Sequence, residues 1–182
     1  MHQTFQSSRL DVAAFAKARE TLEGRDPLQH YARLARDLPA PLTDVTVAWQ
    51  AQGEFRSAAD GGIRPALHLR VQADLPLTCQ RCMGPVVTPL RVDRHLVFVP
   101  DEAAAAELDD ESDDDVLELT AALDLHALIE DELLMALPLV PRHDRCPGEV
   151  KLSVQDQGFD AAGAEKAQPF AALAALKSRQ PG

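Results

Sequence analysis

The sequence predicts an α+β protein in which an antiparallel β meander is packed by a few helices, with a disordered acidic loop. Three stretches of alternating apolar and polar residues, separated by short turns, predict the strands. Apolar residues at helical spacing before and after these stretches predict the helices. With 182 residues, the chain is long enough for one domain whose apolar core needs no disulfides.

The elements follow one another along the chain. The first forty residues are expected to be strand or extended chain followed by helix, because Pro27 suits the first turn of a helix. Apolar residues then recur at helical spacing until Pro39, at Leu28, Tyr31, Leu34 and Leu38. The alternating stretches lie within 45–49, 67–73 and 86–99. Gly53 and Gly61-Gly62 are expected to mark the turns between them.

A second helix is predicted over 125–137, after one more short strand at 116–119. Asp124 is its expected N-cap, and Pro138 ends it. Glu130 and Asp131 fall toward the flanks of the helix, but Glu132 falls in the middle of its apolar stripe. Two interpretations stay open: Glu132 reaches water at an exposed helix end, or it forms a buried ion pair, for which Arg81 is the candidate.

Acidic residues are concentrated in one stretch. The formal net charge is -11, and nine of the 29 acidic residues lie in 101–115 with no basic residue among them. The remaining 20 acidic residues nearly balance the 18 basic ones. Because like charges repel and bury nothing, 101–115 is expected to be a disordered or weakly helical loop. The alternative is that this polyanionic segment attracts and binds basic ribosomal or RNA-binding proteins.

Beyond this domain, assigned to 1–150, the composition changes. Residues 151–168 are expected to be a linker, and 169–179 a short docking helix with Phe170, Leu173 and Leu176 on one side. The longest apolar run spans 170–176, far short of the roughly 20 residues of a membrane span, and no secretory signal is recognised. The sequence thus predicts a soluble, cytoplasmic protein without a membrane partner.

The spacing of the cysteines is compatible with a metal site. Cys79 and Cys82 form a C-x-x-C turn, and Cys146 lies three residues after His143. Two thiolates in such a turn make half of a tetrahedral zinc site, and Cys146 with His143 can supply the other half. Three ordinary reduced cysteines and a redox-active pair are the alternatives. Structural zinc is therefore a possible cofactor.

Sequence patterns typical of enzymes are missing. The chain has no G-x-G-x-x-G, no G-x-x-x-x-G-K-[ST] and no G-x-S-x-G. Its histidines are scattered, and none adjoins a candidate nucleophile. We therefore expect a non-enzymatic protein without a small-molecule substrate.

Three blocks carry a resemblance to a known family. They are LTCQRC at 77–82, IEDELLMALPLVPRH at 129–143 and PFAALAALK at 169–177. In this order they are similar to the YceD family of bacterial large ribosomal RNA subunit accumulation proteins, over roughly residues 10 to 179. The positions matching the family motifs are Cys79, Arg81, Cys82, Glu130, Asp131, Glu132, Pro138, Pro141, Phe170 and Leu173.

The resemblance implies a function. It is a non-enzymatic role in the synthesis, processing or stability of large-subunit (23S) ribosomal RNA, and hence in ribosome biogenesis. The implied partners are the large-subunit precursor, its RNA or ribosome-assembly proteins. The alternative function is a protein-interaction module with a structural zinc site formed by the C-x-x-C turn. In that case Phe170, Leu173 and Leu176 dock into a groove of the partner.

Overall fold

A computed structural model describes residues 4–39, 42, 44–58, 61–109 and 112–148. This part of the chain contains five strands and four α-helices. The strands are β1 (Thr21–Pro27), β2 (Thr46–Ser57), β3 (Ile63–Thr78), β4 (Pro85–Val99) and β5 (Asp115–Glu118). The helices are α1 (Val12–Ala18), α2 (Ala32–Arg36), α3 (Glu102–Asp109) and α4 (Leu125–Met135), and a 3-10 turn, Leu28–His30, precedes α2.

All five strands belong to one sheet in the order β1-β2-β3-β4-β5. The first four are antiparallel neighbours, whereas β5 pairs with β4 in parallel, with Val97 opposite Val116. A parallel neighbour needs a crossover connection, and α3 lies in that connection. The α+β prediction with a meander is confirmed, with one parallel strand added at the edge.

The core lies on one face of the sheet, called here the inner face. Alternate residues of β2, β3 and β4 point into this core and are buried. Such alternation is expected of strands that are covered on one face only. Helices α1 and α4 cover this face with Phe15, Leu125, Ile129 and Leu133, each fully buried. The opposite, outer face carries the polar residues of the same strands.

Gly53 lies within β2 and not in a turn, so the turn expectation for this residue is wrong. A Cβ atom at this position would stand 2.6 Å from the carbonyl oxygen of Phe15. The missing side chain therefore lets α1 pack directly on the strand. The turn between β2 and β3 contains Gly61, which has a φ of 77°.

Helix α1 itself was not anticipated, because the amino-terminal residues were expected to be extended chain or strand. Its seven residues are mostly alanine, which favours a helix without giving a clear apolar period. Asp11 begins the helix by accepting a hydrogen bond from the Ala14 N–H at 2.9 Å.

Of the two expectations for the acidic stretch 101–115, the helical one describes Glu102–Asp109, which forms α3. Leu108 of this helix packs on Val99 and Val116 in a small second cluster. One buried leucine and a run of alanines are enough to hold the helix on the outer face. Residues 112–115 lead into β5 and supply Asp114, which pairs with Arg56 at 2.7 Å.

The chain divides into two units, Met1–Cys146 and Pro147–Gly182. Only Pro147 and Gly148 of the second unit are described. The expected linker at 151–168 and the expected docking helix at 169–179, with Phe170, Leu173 and Leu176, lie outside the described residues. None of the helices in the described ranges has the length and apolarity that crossing a membrane requires.

Candidate metal centre

The C-x-x-C residues lie in the tight turn between β3 and β4. Backbone hydrogen bonds close this turn, from the Cys79 N–H to the Gly84 carbonyl and from the Met83 N–H to the Cys79 carbonyl, both at 2.8 Å. The left-handed residue of the turn is Met83, with a φ of 60°, and not Gly84. The Gln80 N–H donates to the Pro141 carbonyl at 2.9 Å, so the turn is joined to the segment that follows α4.

This junction brings four candidate ligands together. The sulfurs of Cys79, Cys82 and Cys146 and a ring nitrogen of His143 all lie within 4.8 Å of one another. The sulfurs of Cys79 and Cys146 are 3.9 Å apart, and Cys82 Sγ is 3.5 Å from His143 Nδ1. A tetrahedral ion with bonds of about 2.3 Å to sulfur separates two sulfurs by about 3.8 Å. The group has the spacing to hold a metal ion.

Backbone N–H groups prepare the thiols for a cation. Burial by itself raises the pKa of Cys79, but hydrogen bonds from the backbone N–H groups of His143, Cys82 and Arg81 outweigh it and lower this pKa to about 5. A hydrogen bond from the Gly84 N–H lowers the pKa of Cys82. Burial and the neighbouring sulfurs of Cys146 and Cys79 raise it, and together they outweigh that hydrogen bond, so the pKa is raised. A cluster that favours the thiolate of Cys79 and raises the pKa of Cys82 is suited to a cation that displaces a proton.

Arg81 belongs to the same cluster. Its Nε donates to Cys146 Sγ at 3.1 Å, and its Nη2 donates to the carbonyl oxygens of His143 and Asp144 at 3.1 and 3.3 Å. The hydrogen bond to Cys146 is the main reason why the pKa of Arg81 is raised. The guanidinium thus fixes the loop that carries two of the four candidate ligands.

Glu132 lies elsewhere. The expected pairing of a buried Glu132 with an arginine is confirmed, but the expected partner Arg81 and the alternative of an exposed helix end are wrong. Its side chain is only 5% exposed, and its carboxylate pairs at 3.8 Å with Nε of Arg94, on β4. It therefore neither faces open water nor pairs with Arg81. Burial, followed by the negative charge of Asp115, raises the pKa of Glu132. Glu132 meets Arg94 because α4 crosses the inner face of β4. Helical spacing alone could not show which strand the helix crosses.

Glu130, expected on the flank of the helix, is buried and joins α4 to α2. Its Oε1 accepts hydrogen bonds from the backbone N–H groups of Arg33 and Leu34 at 2.7 and 3.1 Å, and its Oε2 accepts from Arg33 Nε at 2.7 Å. These two N–H groups lie in the first turn of α2, whose N-cap Tyr31 makes no side-chain cap. Glu130 therefore caps another helix, and Asp131 adds an ion pair to Arg33 at 2.6 Å.

More than half of the chain is similar to one known protein family. The family model described as "Large ribosomal RNA subunit accumulation protein YceD" matches residues 67–177. A protein of that name from Haemophilus influenzae is 36% identical over 113 residues, which are 60% of this chain and 64% of the relative. The chain thus spans less than two thirds of the length of that relative. No solved structure matches.

Proposed function

Because the chain belongs to the YceD family, we propose that it supports the accumulation of large-subunit (23S) ribosomal RNA as a factor in ribosome biogenesis. The observation that carries this proposal is the family match over 67–177, which includes most of β3, all of β4 and α4, and all four candidate ligands. The name of the Haemophilus influenzae relative supports it. The proposed place of action is the cytoplasm, and the proposed partners are the large-subunit precursor, its RNA or ribosome-assembly proteins.

We further propose that this factor is non-enzymatic. Four protein side chains would fill a tetrahedral coordination sphere and leave no position for water or substrate, which is the pattern of a structural metal site. The buried carboxylates Glu130 and Glu132 have arginines as partners within the fold. These two carboxylates therefore hold helices and strands together, and we propose that function comes from surface contacts.

A deletion strain tests the ribosomal role. We expect sucrose-gradient profiles with fewer large subunits and a lowered ratio of large- to small-subunit ribosomal RNA, both restored by a plasmid carrying the wild-type gene. The same plasmid with an early stop codon is the matched control and should restore neither. Unchanged large-subunit RNA and a normal profile in the deletion strain would remove the proposal.

Zinc is the metal that we propose for the cluster. Three thiolates and one imidazole are a common donor set of structural zinc sites. Elemental analysis of the purified full chain should find one zinc per chain, and Cys79→Ser combined with Cys82→Ser should abolish it. A cobalt-substituted sample should show the absorption of a tetrahedral thiolate complex. Fully reduced protein without stoichiometric zinc would rule the site out.

A further inference from the structure

The end of the sheet that carries the Cys/His cluster exposes several large apolar side chains. Among the described residues seven large hydrophobic side chains are exposed. Four of them flank the cluster, in the turn after Cys82, at the start of β4 and in the segment after α4. They are Met83 (71%), Val87 (69%), Leu139 (101%) and Val140 (60%). Single exposed apolar residues need no explanation, but their concentration at one end indicates a contact surface.

Positive charge accompanies these apolar side chains. Arg142 and Arg145 are exposed, and neither forms an ion pair with any residue in the described ranges. Asp144 is the only acidic residue within 79–89 and 137–148. We call the exposed residues of 83–89 and 139–145 the metal-end surface. It is a local positive region on a chain whose net charge is -11.

A groove gives this surface its shape. It has a volume of about 410 Å³ and runs between the start of β4 and the segment that carries His143. Val87 and Pro89 form one wall, and Arg142, Asp144 and Arg145 lie along the other, so the two guanidinium groups outnumber the one carboxylate. An anionic ligand in the groove would therefore meet guanidinium groups on one side and apolar carbons on the other.

The surface is also held in a fixed arrangement. The backbone hydrogen bond from Gln80 to Pro141 joins its two segments. The Cys/His cluster joins them again at His143 and Cys146, two and five residues after Pro141. A surface fixed before binding loses less conformational entropy when it binds a partner.

The outer face of the sheet also carries arginines, but two of them have carboxylate partners. On the outer face, Arg70 faces Asp93 at 3.7 Å and Arg91 faces Asp74 at 3.6 Å. Those guanidinium groups already have carboxylates beside them, so a polyanion would gain less by approaching them. At the metal-end surface, by contrast, Arg142 and Arg145 are exposed and have no carboxylate partner among the described residues.

We propose that the metal-end surface binds RNA, with Arg142 and Arg145 on phosphates and the apolar side chains against sugars and base faces. This inference rests on the proposed function, which supplies large-subunit ribosomal RNA as the anionic partner. Both charged residues are arginines, whose planar guanidinium groups match the geometry of phosphate oxygens. The net negative charge of the rest of the chain restricts RNA contact to this local surface.

Direct binding tests the proposal. The probe is transcribed large-subunit ribosomal RNA in segments, and the protein is the zinc-loaded full chain, measured at several salt concentrations. Arg142→Gln with Arg145→Gln should weaken binding at least tenfold. The slope of log K against log salt should become shallower by about 1.4 to 1.8, since each phosphate contact contributes about 0.7 to 0.9. Arg70→Gln with Arg91→Gln removes the same charge from the outer face and should leave binding nearly unchanged.

A second variant examines the apolar part of the surface. Leu139→Ser with Val140→Ser should weaken RNA binding while leaving the salt slope as it is, because no phosphate contact is removed. Both residues are exposed, so these changes should leave the unfolding temperature and zinc content at wild-type values. Those two measurements accompany every variant, so that loss of fold is recognised.

Three results would overturn the proposal. The first is wild-type affinity in the Arg142/Arg145 variant, and the second is an equal loss in the Arg70/Arg91 control, which would indicate attraction by overall charge. The third is absence of RNA binding by the wild-type protein even at low salt. If the deletion strain nevertheless lacks large subunits, the ribosomal function stands, and the metal-end surface contacts an acidic protein instead.

Discussion

Arg81 and Arg94 show at the residue scale how two arginines in the same fold take different partners. Arg81 donates to the Cys146 sulfur, and Arg94 lies beside the buried Glu132. The sequence predicted that Glu132 needs either water or an arginine, because its helical position is apolar. It could not predict which arginine, since that depends on which strand α4 crosses.

The contact between Arg81 and Cys146 leads to a prediction about metal affinity. Arg81→Met removes the guanidinium that fixes the Cys146 loop and offsets the thiolate charge. Zinc affinity, measured by competition with a chelator, should fall by about 10- to 100-fold. This is the usual loss when a residue that hydrogen-bonds to a metal ligand is replaced. Arg142→Met is the matched control and should leave affinity unchanged. Arg142 lies in the same segment but forms no hydrogen bond or ion pair with a described residue of the cluster. Equal affinities in the two variants would contradict the role assigned to Arg81.

Glu130 and Glu132 are two buried carboxylates of helix α4, and we expect their replacement to change the stability of the fold differently. Glu130 accepts three hydrogen bonds, and its pKa is lowered: burial acts against this, but Arg33 and two backbone N–H groups outweigh burial. At neutral pH, Glu130→Gln should lower the free energy of unfolding by about 1–3 kcal/mol. The pKa of Glu132 is raised, chiefly by burial, so Glu132→Gln should cost little or increase stability.

The pH dependence of these two variants follows from the signs of the shifts. Because the pKa of Glu130 is lowered in the fold, its contribution is present above its ordinary value of 4.5 and is lost as pH falls below it. Glu132 has a raised pKa, so its protonated form suits the fold and stability declines as pH rises through that pKa. Urea unfolding of both variants at neutral and acidic pH measures this. A larger loss for Glu132→Gln than for Glu130→Gln at neutral pH would contradict the assignment.

At the scale of elements, the strands were the most predictable part of the fold. β2, β3 and β4 each have one buried and one exposed face, so their alternation is visible in the sequence. The helix α4 was predictable from its period and from Asp124, whose carboxylate accepts hydrogen bonds from the His126 and Ala127 N–H groups. Helix α1 and the parallel pairing of β5 were not predictable, because they depend on packing against distant parts of the chain.

Gly53 gives an element-scale prediction, since its missing side chain lets α1 lie on β2. Gly53→Ala places a Cβ atom 2.6 Å from the Phe15 carbonyl oxygen, so backbone must move. The free energy of unfolding should fall by about 1–3 kcal/mol, as measured by urea unfolding. Gly148→Ala is the control, because an added Cβ there meets nothing within 4 Å. Wild-type stability in Gly53→Ala would show that α1 does not pack in this way.

At the scale of the whole molecule, the candidate metal centre joins segments more than 60 residues apart in the sequence. Its four residues were predictable from the C-x-x-C spacing and from the His143 and Cys146 pair. Their meeting was predicted as one of several interpretations and is confirmed, although the spacing alone could not show that the β3–β4 turn and the end of α4 lie at the same end of the sheet. The arginines beside them were missed, since exposed charge carries no local pattern.

Metal removal should therefore affect the stability of the whole unit. Treatment with a strong chelator under reducing conditions should lower the unfolding temperature, because binding to the folded state alone adds about 4 kcal/mol at a thousand times the dissociation constant. Added zinc should restore the temperature, whereas added magnesium, which prefers oxygen ligands, should not. Identical melting curves with and without chelator would contradict a structural metal.

X-ray absorption at the zinc edge of the purified, reduced full chain tests the metal centre most directly. Coordination by Cys79, Cys82, Cys146 and His143 predicts three sulfur atoms at about 2.3 Å and one nitrogen at about 2.0–2.1 Å. A shell of oxygen and nitrogen atoms without sulfur, or a sample that contains no zinc, would contradict it.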